Sequence, residues 1–244
     1  HAQLEVGLVA VPAAAFLLRT FVLFHDCCHG SFVASRAARS VIGNVLGVLT
    51  FTSFDDWRHS HGVHHSTAGN LDRRGTGDVW TMTVAEYAAS GRLRRALYRF
   101  YRNPAVMFGL GVILTFVIMH RFPSRNASAK RVWSVLLTDV ALAAIVIGVG
   151  LTQGFRAYLL VQLPVLLIGG GAGVWLFFVQ HQFSPSYWAR TAEWSPVDAA
   201  LRGSSYYRLP AVLQWVSASI GLHHLHHLRP RIPSYNLQRC IDQT

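Results

Sequence analysis

Acidic residues and cysteines are scarce in this chain, and each shortage removes a class of function. Eleven Asp and Glu stand against 22 Lys and Arg, a formal net charge of +11. That excess raises nucleic acid as a partner. The arginines, however, gather in loops beside apolar stretches, the positive-inside pattern of a membrane protein, which argues against nucleic acid. Of the three cysteines, Cys27 and Cys28 are adjacent and cannot bridge each other, so no disulfide framework is expected. There is no Cys-x-x-Cys-His for haem attachment, no cysteine set for an iron–sulfur cluster, and no Gly-x-Gly-x-x-Gly fingerprint. None of Glu5, Glu86 or Glu193 is followed three residues later by His, which excludes the Glu-x-x-His pairs of the soluble di-iron bundles. A zinc-protease His-Glu-x-x-His is also absent, as are a signal-peptide layout and any internal repeat.

What the chain has in quantity is apolar sequence: 52% hydrophobic residues, 14% charged, and a mean hydropathy of +0.31. Val132 to Leu151 carries Asp139 as its only charge, and Phe155 to Val179 carries only Arg156. Both reach the roughly 20 residues a spanning helix needs. Leu4 to Phe24 is a third span, broken only by Glu5, Arg19 and a tolerated Pro12. Residues 41–54 and 104–120 are short for a crossing and are expected to be interfacial or re-entrant. The expected class is therefore an all-α integral membrane protein. Its opening on His1 and immediate apolar sequence predict a piece of a longer protein, incomplete at both ends.

Three histidine clusters punctuate this pattern: His25-Asp26-Cys27-Cys28-His29, His61-Gly62-Val63-His64-His65, and His223-His224-Leu225-His226-His227. Residues three and four apart share a helix face. His25 with His29, then His61, His64 and His65, then His223, His226 and His227 therefore present eight aimed imidazoles. That is too many for one tetrahedral zinc and suits two metal ions. His181, at the re-emerging end of the last long span, is expected as a ninth ligand. His59 and His224 fall off the shared faces, His120 reads as interfacial, and His1 is a terminus. Ligating histidines hand their other N–H to a carboxylate or carbonyl, and Asp26 and Asp78 are the expected acceptors.

All clusters share one membrane face only if residues 104–120 do not cross. The positive-inside rule places that face in the cytoplasm. A helical cap there would hold the histidines.

The motifs His25-Asp26-Cys27-Cys28-His29-Gly30-Ser31-Phe32, Trp57-Arg58 with His61-x-x-His64-His65, Gly69 to Gly75, Gln180-His181-Gln182-Phe183, and His223-His224-x-His226-His227-Leu228 before Pro230-Arg231-Ile232-Pro233 resemble those of the membrane fatty acid desaturases, specifically the bacterial acyl desaturases of the Δ12-type group. The resemblance covers nearly the whole chain. It implies one desaturase domain over residues 1–244, four spans with one preceding Leu4, and a histidine-held di-iron centre of two iron ions on the cytoplasmic side of a bacterial inner membrane. It also implies an O2-dependent oxidoreductase that forms a double bond in a fatty acyl chain with two external electrons. The donor would be a ferredoxin or cytochrome b5, with the basic stretch Arg92 to Arg102 as a dock for an acidic one. Cys28 stands where that family carries glycine and Ser219 where it carries asparagine, which leaves regiochemistry open. Two rival readings remain: a di-iron hydroxylase or ketolase acting on alkanes or carotenoids, and a non-catalytic metal-binding membrane protein. The Gly69–Gly75 and Pro230–Pro233 stretches favour desaturase over the first. Clusters at span ends rather than mid-span disfavour the second.

Overall fold

The computed structural model describes residues 2–243, with side chains from 7 to 243; His1 lies outside the described residues, as does the side chain of Glu5. Among the described residues there is no strand, only isolated bridges of Asn70 with Ala189 and Tyr206 with Leu222. The chain is an all-α membrane protein with a histidine-rich site.

Three helices are long and apolar enough to cross a membrane: α1 (Ala2–His29), α6 (Ala129–Gln153) and α7 (Phe155–His181). Pro12 and Pro164 sit inside α1 and α7 without ending them. Both helices run on past their apolar stretches, so the first histidine cluster forms the last turns of α1 and His181 the last residue of α7. The pair α1/α7 forms the central packing. A side chain at Gly169 would lie 2.9 Å from the Ala14 carbonyl oxygen, and one at Gly170 would lie 2.6 Å from Val112 Cγ1. The glycine run of α7 thus lets α1 approach on one side and the 104–120 segment on the other.

Between α1 and α6 the chain makes two bent excursions. Helix α2 (Arg36–Leu49), capped by Ser35, folds back along α1 and meets α3 (Phe54–Thr67) at a 94° bend. After the short α4 (Val84–Ala89), the basic α5 (Arg92–Tyr101) bends by 65° into a stretch of π-helical turns, Val106–Leu110 and Ile113–Ile118, closed by a 3-10 turn at Met119–Arg121. The end of this stretch lies against the bend between α2 and α3. His120 Nδ1 lies 3.2 Å from Thr52 Oγ1, Ser124 donates to Asp56, and Lys130 at the start of α6 donates to Asp55. Asp139, the one acid inside α6, pairs with Arg121, so its role is that of a partnered charge. Arg19 lies 4.3 Å over the Trp215 ring. That residue belongs to α9 (Ala211–Val216), which follows α8 (Pro196–Gly203) and precedes α10 (His223–Leu228) and α11 (Ser234–Asp242).

Candidate metal centre

The histidine centre is assembled from the ends of α1 and α7 and from the two histidine-bearing helices α3 and α10. Helix α3 begins just after Ser53, and Asp55 and Asp56 in its first turn suit the positive end of its dipole. Ser134 Oγ receives the Asp55 N–H, and Ser124 and Arg131 engage Asp56, which pins the helix against α6. Trp57 stacks on His61 at 4.3 Å and 16°. Helix α10 is six residues long and needs outside support: Gln180 donates to the Ile220 carbonyl at 2.9 Å and the His224 N–H reaches Ser205 O.

All nine histidines singled out by the sequence come together. His25, His29, His61, His65 and His226 form one group, and His64, His181 and His227 a second, each able to aim one nitrogen within 4.8 Å of the others. His223 joins the second group through its Nε2, 2.9 Å from His181 Nε2. The groups abut, with His65 and His227 stacked at 4.1 Å and 14°. His59 is exposed, His224 lies half-buried beside Tyr206, and His120 is at Thr52; none of the three joins either group.

The nitrogen geometry fits metal ligation better than mutual hydrogen bonding. His61 and His65 face each other Nε2 to Nε2 at 3.0 Å, His65 and His226 at 3.2 Å, and His64 and His181 at 3.2 Å. A neutral imidazole has one N–H, so converging nitrogens cannot all be paired. Bonds of about 2.1 Å from one ion to each nitrogen would set neighbours roughly 3–3.4 Å apart. Two buried ring nitrogens, His29 Nε2 and His227 Nε2, also lack any partner. Burial first, and neighbouring imidazoles next, hold His223, His226 and His227 well below the ordinary histidine pKa. Neutral rings are the form that binds a cation.

The two carboxylates differ. Asp78 Oδ1 accepts from His64 Nδ1 at 2.7 Å, which leaves His64 Nε2 free to face inward. A strap over residues 75–82 carries Asp78, and the strap touches the centre at Gly77. Its φ is +70°, and a side chain there would press on His64 Cβ at 3.1 Å, so the position favours glycine twice over. Asp26 accepts the Ser234 N–H at 2.8 Å, while its other oxygen lies 3.6 Å from His25 Nδ1, beyond hydrogen-bond range. Asp55, Asp56 and Asp72 engage cations instead.

Sequence reasoning missed Phe177, whose ring packs 5.2 Å from His64 and 4.9 Å from His181. Its spacing of four before His181 is the signal that could have found it. It also missed the tie from Arg102 to Gln182 and from Gln182 to Thr81, which fastens the strap to the end of α7. These residues are far apart in sequence, and no periodicity joins them.

A cavity of 590 Å³ opens onto this centre. Trp57, His61 and Asp78 line it at the histidine level, and Leu17, Leu166 and Gly169 line it deep between α1 and α7. Of α1, Leu17, Leu18 and Phe21 line it, so the cavity borders that helix for roughly 6 Å at helical rise.

The fatty acid desaturase family model matches residues 3–242. The chain belongs to the fatty acid desaturase family. It is 47% identical over 230 residues to a fatty acid desaturase of Bacillus subtilis, an alignment covering 94% of this chain and 65% of that protein. It is 28% identical over 232 residues to the sn-1 oleoyl-lipid 12-desaturase of Synechocystis sp., covering 91% of this chain and 63% of that protein. The sn-1 acyl-lipid omega-3 desaturase (ferredoxin) of the same organism is also 28% identical, over 239 residues, covering 91% and 62%. The chain thus spans less than two thirds of the length of these desaturases. The family is one of oxidoreductases acting on fatty acyl groups.

Proposed function

We propose that this chain carries the catalytic centre of a membrane acyl desaturase. It would convert –CH2–CH2– to –CH=CH– with O2, two electrons and two protons, giving two waters. What supports the reading is the mainly apolar cavity that reaches from Leu17, Leu166 and Gly169 between α1 and α7 to Trp57, His61 and Asp78. A saturated chain has no polar handle, so shape alone must bring its reacting carbons to the metals.

The proposed ligands are His25, His29, His61, His65 and His226 for one iron and His64, His181, His223 and His227 for the other. Two bound iron ions would supply the O2 activation and oxidising power that no side chain has. The chain's own residues do the rest. Asp78 fixes the His64 ring and raises its basicity, Asp26 steadies the end of α1, and Phe177 with Trp57 walls the centre with apolar surface that excludes water. The half-buried cavity walls of α1 and α7 hold the acyl chain straight along the helix pair.

The topology proposed with this function has one desaturase domain, spans at α1, α6 and α7, and the 41–54 and 104–120 segments dipping without crossing. The histidines then lie on one face, the cytoplasmic side of a bacterial inner membrane, supported by Lys130 meeting Asp55 beside α3. Electrons come from a separate donor such as a ferredoxin or cytochrome b5. One Synechocystis relative is named for ferredoxin.

Expression of the full-length protein with a donor, followed by mass spectrometry of cell fatty acids, tests the reading. New double bonds are expected. Hydroxylated products without new double bonds would instead support a di-iron hydroxylase or ketolase.

A further inference from the structure

Helix α5 has two faces with different fates. Tyr98 and Tyr101 turn inward, where their hydroxyls accept the Met82 and Trp80 N–H groups and their rings pack on Trp80. Arg102 donates to Gln182 and lies 5.0 Å over the Phe178 ring. The helix is therefore bolted to the strap and to the end of α7. Leu93, Leu97 and Phe100, spaced four and three apart on the opposite side, are 73%, 51% and 58% exposed. On a helical projection Arg92 and Arg99 flank one edge of this apolar face and Arg94 the other. Among the described residues, none of Arg92, Arg94, Arg95 and Arg99 is in an ion pair. The sequence has no acid from Tyr87 to Thr138 to neutralise them. Beyond the 65° bend, exposed apolar side chains continue at Leu110, Leu114, Val117 and Ile118.

We infer that α5 lies flat in the headgroup layer of an anionic bilayer, with Leu93, Leu97 and Phe100 among the upper acyl carbons and its arginines on lipid phosphates. Continuity decides the occupant. The apolar face runs on into side chains that border the membrane-spanning helices, so whatever solvates those also reaches α5. Arginines on both flanks of a narrow apolar face can extend their stems to phosphate level, the arrangement of an interfacial helix. An acidic soluble protein would satisfy the arginines and leave the leucines facing lipid it cannot displace. By this inference the basic stretch is a lipid contact rather than the donor's dock, and it holds the strap, with Asp78 upon it, at a set height above the bilayer. The inference stands apart from the chemistry at the histidines, because no activity enters its test.

The test is a photo-crosslinking amino acid, p-benzoylphenylalanine, at Leu97 in the full chain, reconstituted in nanodiscs of phosphatidylglycerol and phosphatidylethanolamine with an acidic ferredoxin added. Mass spectrometry should find adducts to phospholipid. Adducts to the ferredoxin, or the absence of any lipid adduct, would overturn the inference. In parallel, Arg92→Gln, Arg94→Gln and Arg99→Gln are combined, and co-purifying phosphatidylglycerol is counted by native mass spectrometry. Each arginine near a phosphate is expected to contribute a factor of about five in anionic-lipid affinity, so the triple variant should lose most bound phosphatidylglycerol. Unchanged retention would also overturn it.

Discussion

His25, His29, His61, His65 and His226 draw on α1, α3 and α10, with two members each from α1 and α3, whereas His64, His181 and His227, joined by His223, draw on α3, α7 and α10, with two from α10. The larger group is redundant and loosely braced, its nearest carboxylate Asp26 standing 3.6 Å from His25. The smaller has one imidazole fewer but a tight brace, Asp78 at 2.7 Å from His64. A site with many ligands tolerates a loose surround, while one with few depends on each ring being aimed.

The comparison breaks most sharply at single ligands. His64→Ala should remove one of the two irons by elemental analysis and bring desaturation to background, while His29→Ala, leaving four nitrogens in its group, should retain more metal. Equal losses in the two variants would end the distinction between the groups. A smaller effect is expected one step out. Asp78→Asn should weaken metal binding about 10- to 100-fold, and Asp26→Asn less, because its carboxylate mainly holds the Ser234 N–H at the start of α11. Should Asp26→Asn prove the costlier for iron content, the bracing argument is reversed.

Away from the metals, Gly173→Val should narrow the cavity without touching the centre. A Cβ there meets only Leu18 Cδ1, at 3.6 Å, so the helix accommodates it and the extra methyls enter the cavity that Gly173 lines. Product profiles should move to shorter acyl chains at unchanged iron content. An unchanged profile would place the acyl chain elsewhere. The smallest effect concerns Ser219, which has φ of +61° beside the base of α10. Asparagine tolerates that conformation better. Ser219→Asn should stabilise the protein by about 0.5 kcal/mol, read as a small rise in melting temperature with activity retained.

Much of this was legible in the residues because it rests on local periodicity. The long apolar runs announce α1, α6 and α7, since twenty apolar residues have few alternatives to a spanning helix. Histidines three and four apart announce shared faces wherever the backbone is helical. His181 was legible by its place at a span's end and by the motif around it, whereas Phe177 offered only its spacing of four before His181, because its role depends on where α7 meets α3.

Sequence by itself determined that this chain is helical, membrane-embedded and rich in imidazoles presented as sets, for those properties follow from hydropathy and the 3.6-residue turn. Only the tertiary structure decided how nine imidazoles divide into two groups, which of two acids grips a ring, and that the cavity ends at Trp57 and His61. Each of those depends on the approach of helices distant in the chain, set by the glycine run of α7, the 94° bend before α3 and the strap fastened by Gln182. Packing geometry of this kind is a property of pairs of surfaces, and no local pattern encodes it.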